Sequence, residues 1–292
     1  MTRPSFFQRA LRKFNKTLSS FFFLDQWVIL TTQGADYDSL QWPALRPIIP
    51  EKDRYWADPF VMQKDDLYYI FAEEKIYATR RGRIICIALD RRGNVSSNQV
   101  ALEQPYHLSY PFVFEYKGEM YMLPESAQNL NVELYRCKRF PNEWQFVKNL
   151  MTGICAADAT LFEHNKKWWM FANIKEAGGS SLDALHLFYA DNPLADKWTP
   201  HPRNPIVKDI RSARPAGRII ARDGKLIRPS QDSWRRYGHA LKFNRIAKLN
   251  ENEYEEVLET SFLPRGGKII ATHTFNQAGN LTVIDAIIRR RK

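Results

Sequence analysis

Two aspartates, Asp58 in WADPFV and Asp158 in AADATLF, stand between small and apolar neighbours at the start of strand-like runs. A carboxylate in that setting either bonds a local amide in a turn or belongs to a site that perturbs its proton affinity; recurrence at one position favours the site. Fifteen residues beyond them lie Glu73 and Asn173, and the same interval separates Tyr110 from Glu125. A second chemistry-bearing stretch is basic: residues 203–236 hold eight Arg and two Lys against three Asp. Within it Arg211, Arg214, Arg218 and Arg228 offer planar forks that match the paired oxygens of a phosphate or carboxylate, unless Asp209, Asp223 and Asp232 neutralise them at the surface.

These residues are placed by a repeat. WADPFVMQKDDLYYIFAEE from Trp56, SYPFVFEYKGEMYMLPES from Ser109 and AADATLFEHNKKWWMFANI from Ala156 each read as an apolar strand, a polar turn and an aromatic strand ending in a polar residue. A looser fourth copy, ARPAGRIIARDGKLIRPSQD, starts at Ala213, and a shorter fifth, ATHTFNQAGNLTVIDAII, at Ala271. Further strand-like runs lie between the copies, so each unit of roughly 50 residues holds two hairpins, as a four-stranded propeller blade does. The expected fold is all-β, a five-bladed β-propeller. WVIL at 27–30 is left to pair with the fifth unit and close the ring, which removes the exposed sheet edges. In a ring the repeated loci converge on one mouth of the channel: Asp58, Tyr110, Asp158 and Arg214 from the strand starts, Glu73, Glu125, Asn173 and Gln231 from the strand ends.

The rest of the composition narrows the class. With 44% apolar residues and a net charge of +11 over 292 residues, the chain can bury a core and is not disordered. No helix-turn-helix, zinc-finger or RNP pattern accompanies the basic residues, so nucleic acid is not an expected partner. Cys86, Cys137 and Cys155 form no CxxC pair, which argues against a disulfide scaffold or structural zinc and for a reducing, cytoplasmic setting. No 18-residue apolar run occurs, and no secretory signal is recognisable. Residues 1–24 instead form a basic arm, in which Phe6, Phe7, Leu11, Phe14 and Leu18 fall at helical spacing among five basic residues. Such an arm packs on the domain's outside or meets an anionic membrane surface, the inner face for a cytoplasmic protein; residues 25–292 make the single propeller domain.

The order WADPFV, SYPFVF with MLPES, AADATLF, HPRNPI with ARPAG, and RPSQD with YGHAL resembles the N-terminal domain of glucosamine inositolphosphorylceramide transferases and its stand-alone bacterial relatives. That domain is similar in turn to the five-bladed propellers of arabinanases, invertases and levansucrases. The resemblance covers roughly residues 50–290 and implies a carbohydrate or sugar-phosphate ligand. By that likeness Asp58 matches the base or nucleophile and Asp158 the residue that orients it. The blade-four acid is replaced by Arg214, which cannot donate a proton near neutral pH, so hydrolysis would need Glu125 as a relocated acid. With arginines to stabilise a departing phosphate, glycosyl transfer is the leading expectation, Asp58 acting as base on an acceptor hydroxyl. A non-catalytic carbohydrate-binding module and a hydrolase are the alternatives. Trp56, Tyr55 and Tyr110 are placed to stack on a sugar ring, and Arg214, Arg218, Arg228, Gln231, His239 and His273 to contact it. No cofactor and no metal are expected.

Overall fold

Five pairs of strands are joined by two-residue loops, and the sequence accounts for each loop. Asp65 with Asp66, Lys117 with Gly118, Asn165 with Lys166 and Asp223 with Gly224 all have both residues at positive φ, between 48° and 77°. That is the type I′ geometry whose twist matches paired strands, and Asp, Asn and Gly tolerate it best. Gly279 and Asn280 form the fifth loop between Ala278 and Leu281.

Described over residues 22–175 and 178–292, this computed structural model is an all-β, five-bladed propeller. The sheets comprise, from the axis outward, Arg54–Lys64, Leu67–Ile76, Gly82–Leu89 and Val95–Leu102 in blade one, then Ser109–Tyr116, Glu119–Ser126, Asn131–Arg139 and Glu143–Thr152 in blade two. Blade three is built from Ala156–His164, Lys167–Ile174 and Ala184–Ala190, edged by the short Thr199–Pro200 and Val207–Lys208. Blade four has Ile220–Arg222, Lys225–Asp232, Ala240–Leu249 and Tyr254–Phe262.

Blade five is made from both ends of the described chain. Leu281–Arg291 pairs with Phe275–Ala278 and Ile269–Ala271 on one side and antiparallel with Phe23–Gln33 on the other, and Arg46–Ile48 lies outermost. Trp27 faces Ile287 and Leu30 faces Ile284, so WVIL closes the ring as its sequence predicts. The fifth repeat is short because its outer strands come from the other end of the chain. The basic arm predicted over 1–24 lies outside the described residues except for its last three, and Phe23 and Leu24 already belong to the ring-closing strand.

Middle strands are buried on both faces, which is why their patterns read as apolar runs rather than alternation. Ile84 through Leu89 is buried throughout, whereas the outer strand Val95–Leu102 is mostly exposed. Aromatic edges stitch neighbouring blades: Phe71 of blade one meets Trp144 of blade two at 5.7 Å, and Phe114 of blade two meets Trp168 of blade three at 6.0 Å. The three cysteines are free.

Candidate active site

Each of the first three inner strands carries the same irregularity. The pairing slips between Ala57 and Phe60, between Ser109 and Phe112, and between Ala157 and Thr160. At each slip one non-glycine residue is left-handed: Asp58 at φ 52°, Tyr110 at 42° and Asp158 at 56°. Such a residue costs on the order of 1–3 kcal/mol and persists where the surroundings over-determine it, commonly at functional sites. A bulge re-aims the side chain, here out of the sheet and into the channel. The end of the channel where these strands begin is called the bulge mouth below; the hairpin loops ring the turn mouth.

Two ionic clusters form there. In the first, Thr274 Oγ1 donates to Asp58 Oδ1 at 3.0 Å, His273 Nε2 lies 3.7 Å from the same oxygen, and His273 Nδ1 lies 2.6 Å from Asp285 Oδ2. Asp285 also accepts the backbone N–H groups of Asp58, His273 and Thr274 at 2.9–3.0 Å, so it ties the inner strand of blade one to the segment that leads into Phe275–Ala278. Burial disfavours a charge on His273, but the Asp285 and Asp58 carboxylates outweigh it and raise the imidazole to about 9. Trp27 covers that ring face-on, centroids 4.0 Å apart. Burial pushes Asp58 up to about 6, with His273 pulling against it. Beside it, burial and the Asp58 charge push Glu73 to about 8. Glu73 accepts from Tyr55 Oη at 3.0 Å, and His107, whose Nδ1 accepts from Gly82 N at 2.8 Å, turns Nε2 toward it at 3.5 Å.

The second cluster centres on Arg214. Its Nε and one terminal nitrogen clamp Asp158 at 2.6 and 3.2 Å, and the same nitrogen reaches Glu125 at 3.2 Å. Gln231 Nε2 adds a bond to Asp158 at 3.1 Å. Burial and then the Asp158 charge hold Glu125 well above the usual carboxylate range, against the pull of Arg214. A loop over residues 233–239 spans both clusters. Tyr237 lies edge-on to His273 at 5.3 Å with the Arg214 guanidinium 5.4 Å over its ring, and Trp234, 69% exposed, sits over Arg211. Gly238, at φ 59°, admits this approach: a Cβ there would lie 2.8 Å from the His273 ring.

The structure thus gathers Asp58, Asp158, Glu125, Arg214, Gln231 and His273 at one mouth, and places Trp56, Tyr110, Arg228, Arg218 and His239 elsewhere. Trp56 is no sugar platform; it is buried inside blade one and donates to Glu74 at 3.1 Å. Tyr110 is fully buried as a plug: its hydroxyl lies 2.9 Å from Thr160 and accepts from Gly217 N at 2.8 Å across the channel. Arg228 binds Glu256 at 2.6 and 2.7 Å and the Ser212 carbonyl at 2.7 Å, inside blade four. Arg218 lies on the turn side of the plug, along the cavity wall with Arg222 and Asn276. His239 stands at the foot of the loop among Asp232, Arg235 and Arg236 rather than in either cluster. Asn173 is buried with neither end of its amide hydrogen-bonded. Sequence reasoning missed Asp285, Thr274, Trp27, Trp234 and Tyr237. A signal existed for Asp285, a single acid within the apolar LTVIDAII. Among the described residues, Asp58, His273 and Asp285 are also the set that could present three ligand atoms to a cation, all within 4.8 Å of one another.

Fold and site together define a five-bladed propeller with a buried carboxylate–guanidinium centre at one mouth. Over residues 39–273 the chain matches the family described as glucosamine inositolphosphorylceramide transferase 1, N-terminal, and it belongs to that family. It is 35% identical over 232 residues to glucosamine inositolphosphorylceramide transferase 1 of Oryza sativa subsp. japonica and 33% to that of Arabidopsis thaliana, covering 75% of this chain in each case. The match takes in 31% and 30% of those relatives, so the chain spans about a third of their length. Among solved structures it is similar to the catalytic domain of a GH62 α-L-arabinofuranosidase from Coprinopsis cinerea (TM-score 0.59, 12% identity, 90% and 97% of the two chains). It is also similar to Zg3597, a family 117 glycoside hydrolase from Zobellia galactanivorans (TM-score 0.58, 11% identity, 90% of each). At these identities the likeness is one of fold.

Proposed function

We propose that the bulge mouth acts on a glycosidic bond, with Asp58 as the carboxylate that serves as base or nucleophile and Glu125 as the proton donor. The observation that carries this reading is the division of Arg214 between Asp158 and Glu125: it ties down Asp158 bidentately and gives Glu125 a single contact, too little to offset the burial and the Asp158 charge that raise its proton affinity. Two acids of unequal proton affinity at one mouth, Asp58 raised to about 6 and Glu125 raised well above the carboxylate range, are what acid–base chemistry on a sugar requires. The exposed rings of Tyr237 and Trp234 supply an apolar face for the sugar.

The arginines support a phosphate-linked donor less well than their number suggests. Arg214 is clamped by Asp158 and Arg228 by Glu256, so neither has a fork free for a ligand at this mouth. A leaving sugar oxygen then needs a proton, and Glu125, held above the usual carboxylate range, is the group assigned to supply it. Whether water or a hydroxyl of a growing glycan or glycolipid accepts the sugar, the residues act alike; the family relationship and the basic arm favour a hydroxyl acceptor near a membrane. Asp58→Asn lowers turnover of oligosaccharide substrates by about 10²-fold or more, and Glu125→Gln does the same on natural glycosides. Glu125→Gln spares a nitrophenyl glycoside, whose leaving group departs unprotonated. Full activity of Asp58→Asn, or equal losses of Glu125→Gln on both substrates, overturns the assignment.

A further inference from the structure

We propose that the turn mouth is a second ligand site, taking a small hydroxylated molecule whose carboxylate or phosphate group lies against Arg218. The two mouths are separate chambers, because Tyr110, with Thr160 and Gly217, bridges the channel from blade two to blade four, and Phe60 meets the Tyr110 ring edge-on at 4.7 Å.

On the turn side of that plug lies the Arg218 guanidinium, 5.4 Å over Phe60 and 5.1 Å over Phe112. Three other arginines of blade four are matched: Arg214 by Asp158 and Glu125, Arg222 by Asp36, Arg228 by Glu256. Arg218 pairs with no carboxylate among the described residues. Burial lowers its affinity for the proton to about 10, so two aromatic faces do not replace the water it has lost. A half-buried fork without a carboxylate partner is electrostatically incomplete, and an oxyanion completes it.

The space for that anion is present. Arg218 lines a cavity of about 670 Å³ between blades four and five, with Ser39, Gln277, Asn280 and the paired Arg222 and Asp36 on its walls. That is enough volume for a monosaccharide-sized molecule. Asn276, the floor residue, is held rigid by Arg218 N and the Pro59 carbonyl at 3.0 and 2.8 Å. Asp38 also lines the cavity, so one acidic end and a neutral hydroxylated remainder fit better than a polyanion.

The test is calorimetric titration at fixed ionic strength with inorganic phosphate, glucuronate and, as the uncharged control, glucose. Wild type and Asp58→Asn should bind phosphate or glucuronate alike and glucose at least tenfold more weakly; the tighter of the two anions identifies the acid group. Arg218→Met should abolish binding and Arg218→Lys weaken it. Gln277→Glu, a change on the half-buried wall, sets a carboxylate in the same cavity and should weaken binding tenfold or more even if Arg218→Met fails to fold. No binding of either anion at tens of millimolar, or unchanged affinity in Arg218→Met or Gln277→Glu, overturns the proposal.

Discussion

Asp58 and Asp158 occupy the same backbone position, in the same bulge, at the same left-handed φ, one blade apart from a shared neighbour. Their partners differ. Asp158 receives a bidentate guanidinium and an amide; Asp58 receives one hydroxyl and stands 3.7 Å from an imidazole that is already bonded to Asp285. The repeat therefore sets where a carboxylate points, and the adjoining blade sets what it does. A locked acid positions and tunes its surroundings; a lightly held acid remains available to a substrate.

The contrast can be broken first at Arg214. Arg214→Met strands Asp158 without its counter-charge, and loss of one partner of a buried pair costs about 3–5 kcal/mol. Chemical denaturation should register that loss. His273→Gln should cost less than Arg214→Met, because Asp285 keeps three backbone N–H bonds; an equal loss would mean the clusters are equivalent.

A middle-sized effect lies in pH. Glu73 in the folded state titrates near 8 and His273 near 9, both above their unfolded values of about 4.3 and 6.5. Between those limits these two groups bind more protons in the folded protein than in the unfolded chain, so their contribution to stability falls as pH rises from about 4.5 to 9. Glu73→Gln should flatten the lower part of that decline in melting temperature, up to about pH 8; an unaltered slope would place Glu73 outside the titrating set. Activity should rise as Asp58 ionises through about 6.

The smallest effect sharpens the comparison most. Asp58→Gly relieves a left-handed strain and should change stability little, or raise it by up to about 1 kcal/mol, while abolishing turnover. Asp158→Gly relieves the same strain but orphans Arg214 and should destabilise. Melting both variants side by side decides whether the two positions differ through their partners.

Much of the architecture was legible because it rests on local signals repeated in order. The turn pairs from Asp65 with Asp66 to Gly279 with Asn280 mark the inner hairpins, and their spacing counts the blades. The convergent acids and Arg214 followed from repeat position. What was not legible depends on parity and on long-range partners. Side chains alternate faces along a strand, so Arg228 and Gln231, an odd number of residues apart, point oppositely; Gln231 meets Asp158 and Arg228 meets Glu256. At Tyr110 the bulge resets the alternation, and no sequence count reveals how. Tyr237 and Trp234 sit in a loop whose place over the channel depends on Gly238 packing against His273.

The ring-closing strand has a consequence for how the molecule comes to exist. Trp27 on Phe23–Gln33 and Asp285 on Leu281–Arg291 both brace His273, and these strands are zipped over eleven residue pairs. Ribosomal synthesis makes the first of them roughly 250 residues before the second. A nascent chain can therefore assemble blades one to four as they emerge, yet the imidazole stays unsupported until the distal strand docks, and the bulge mouth is complete only in that closing event.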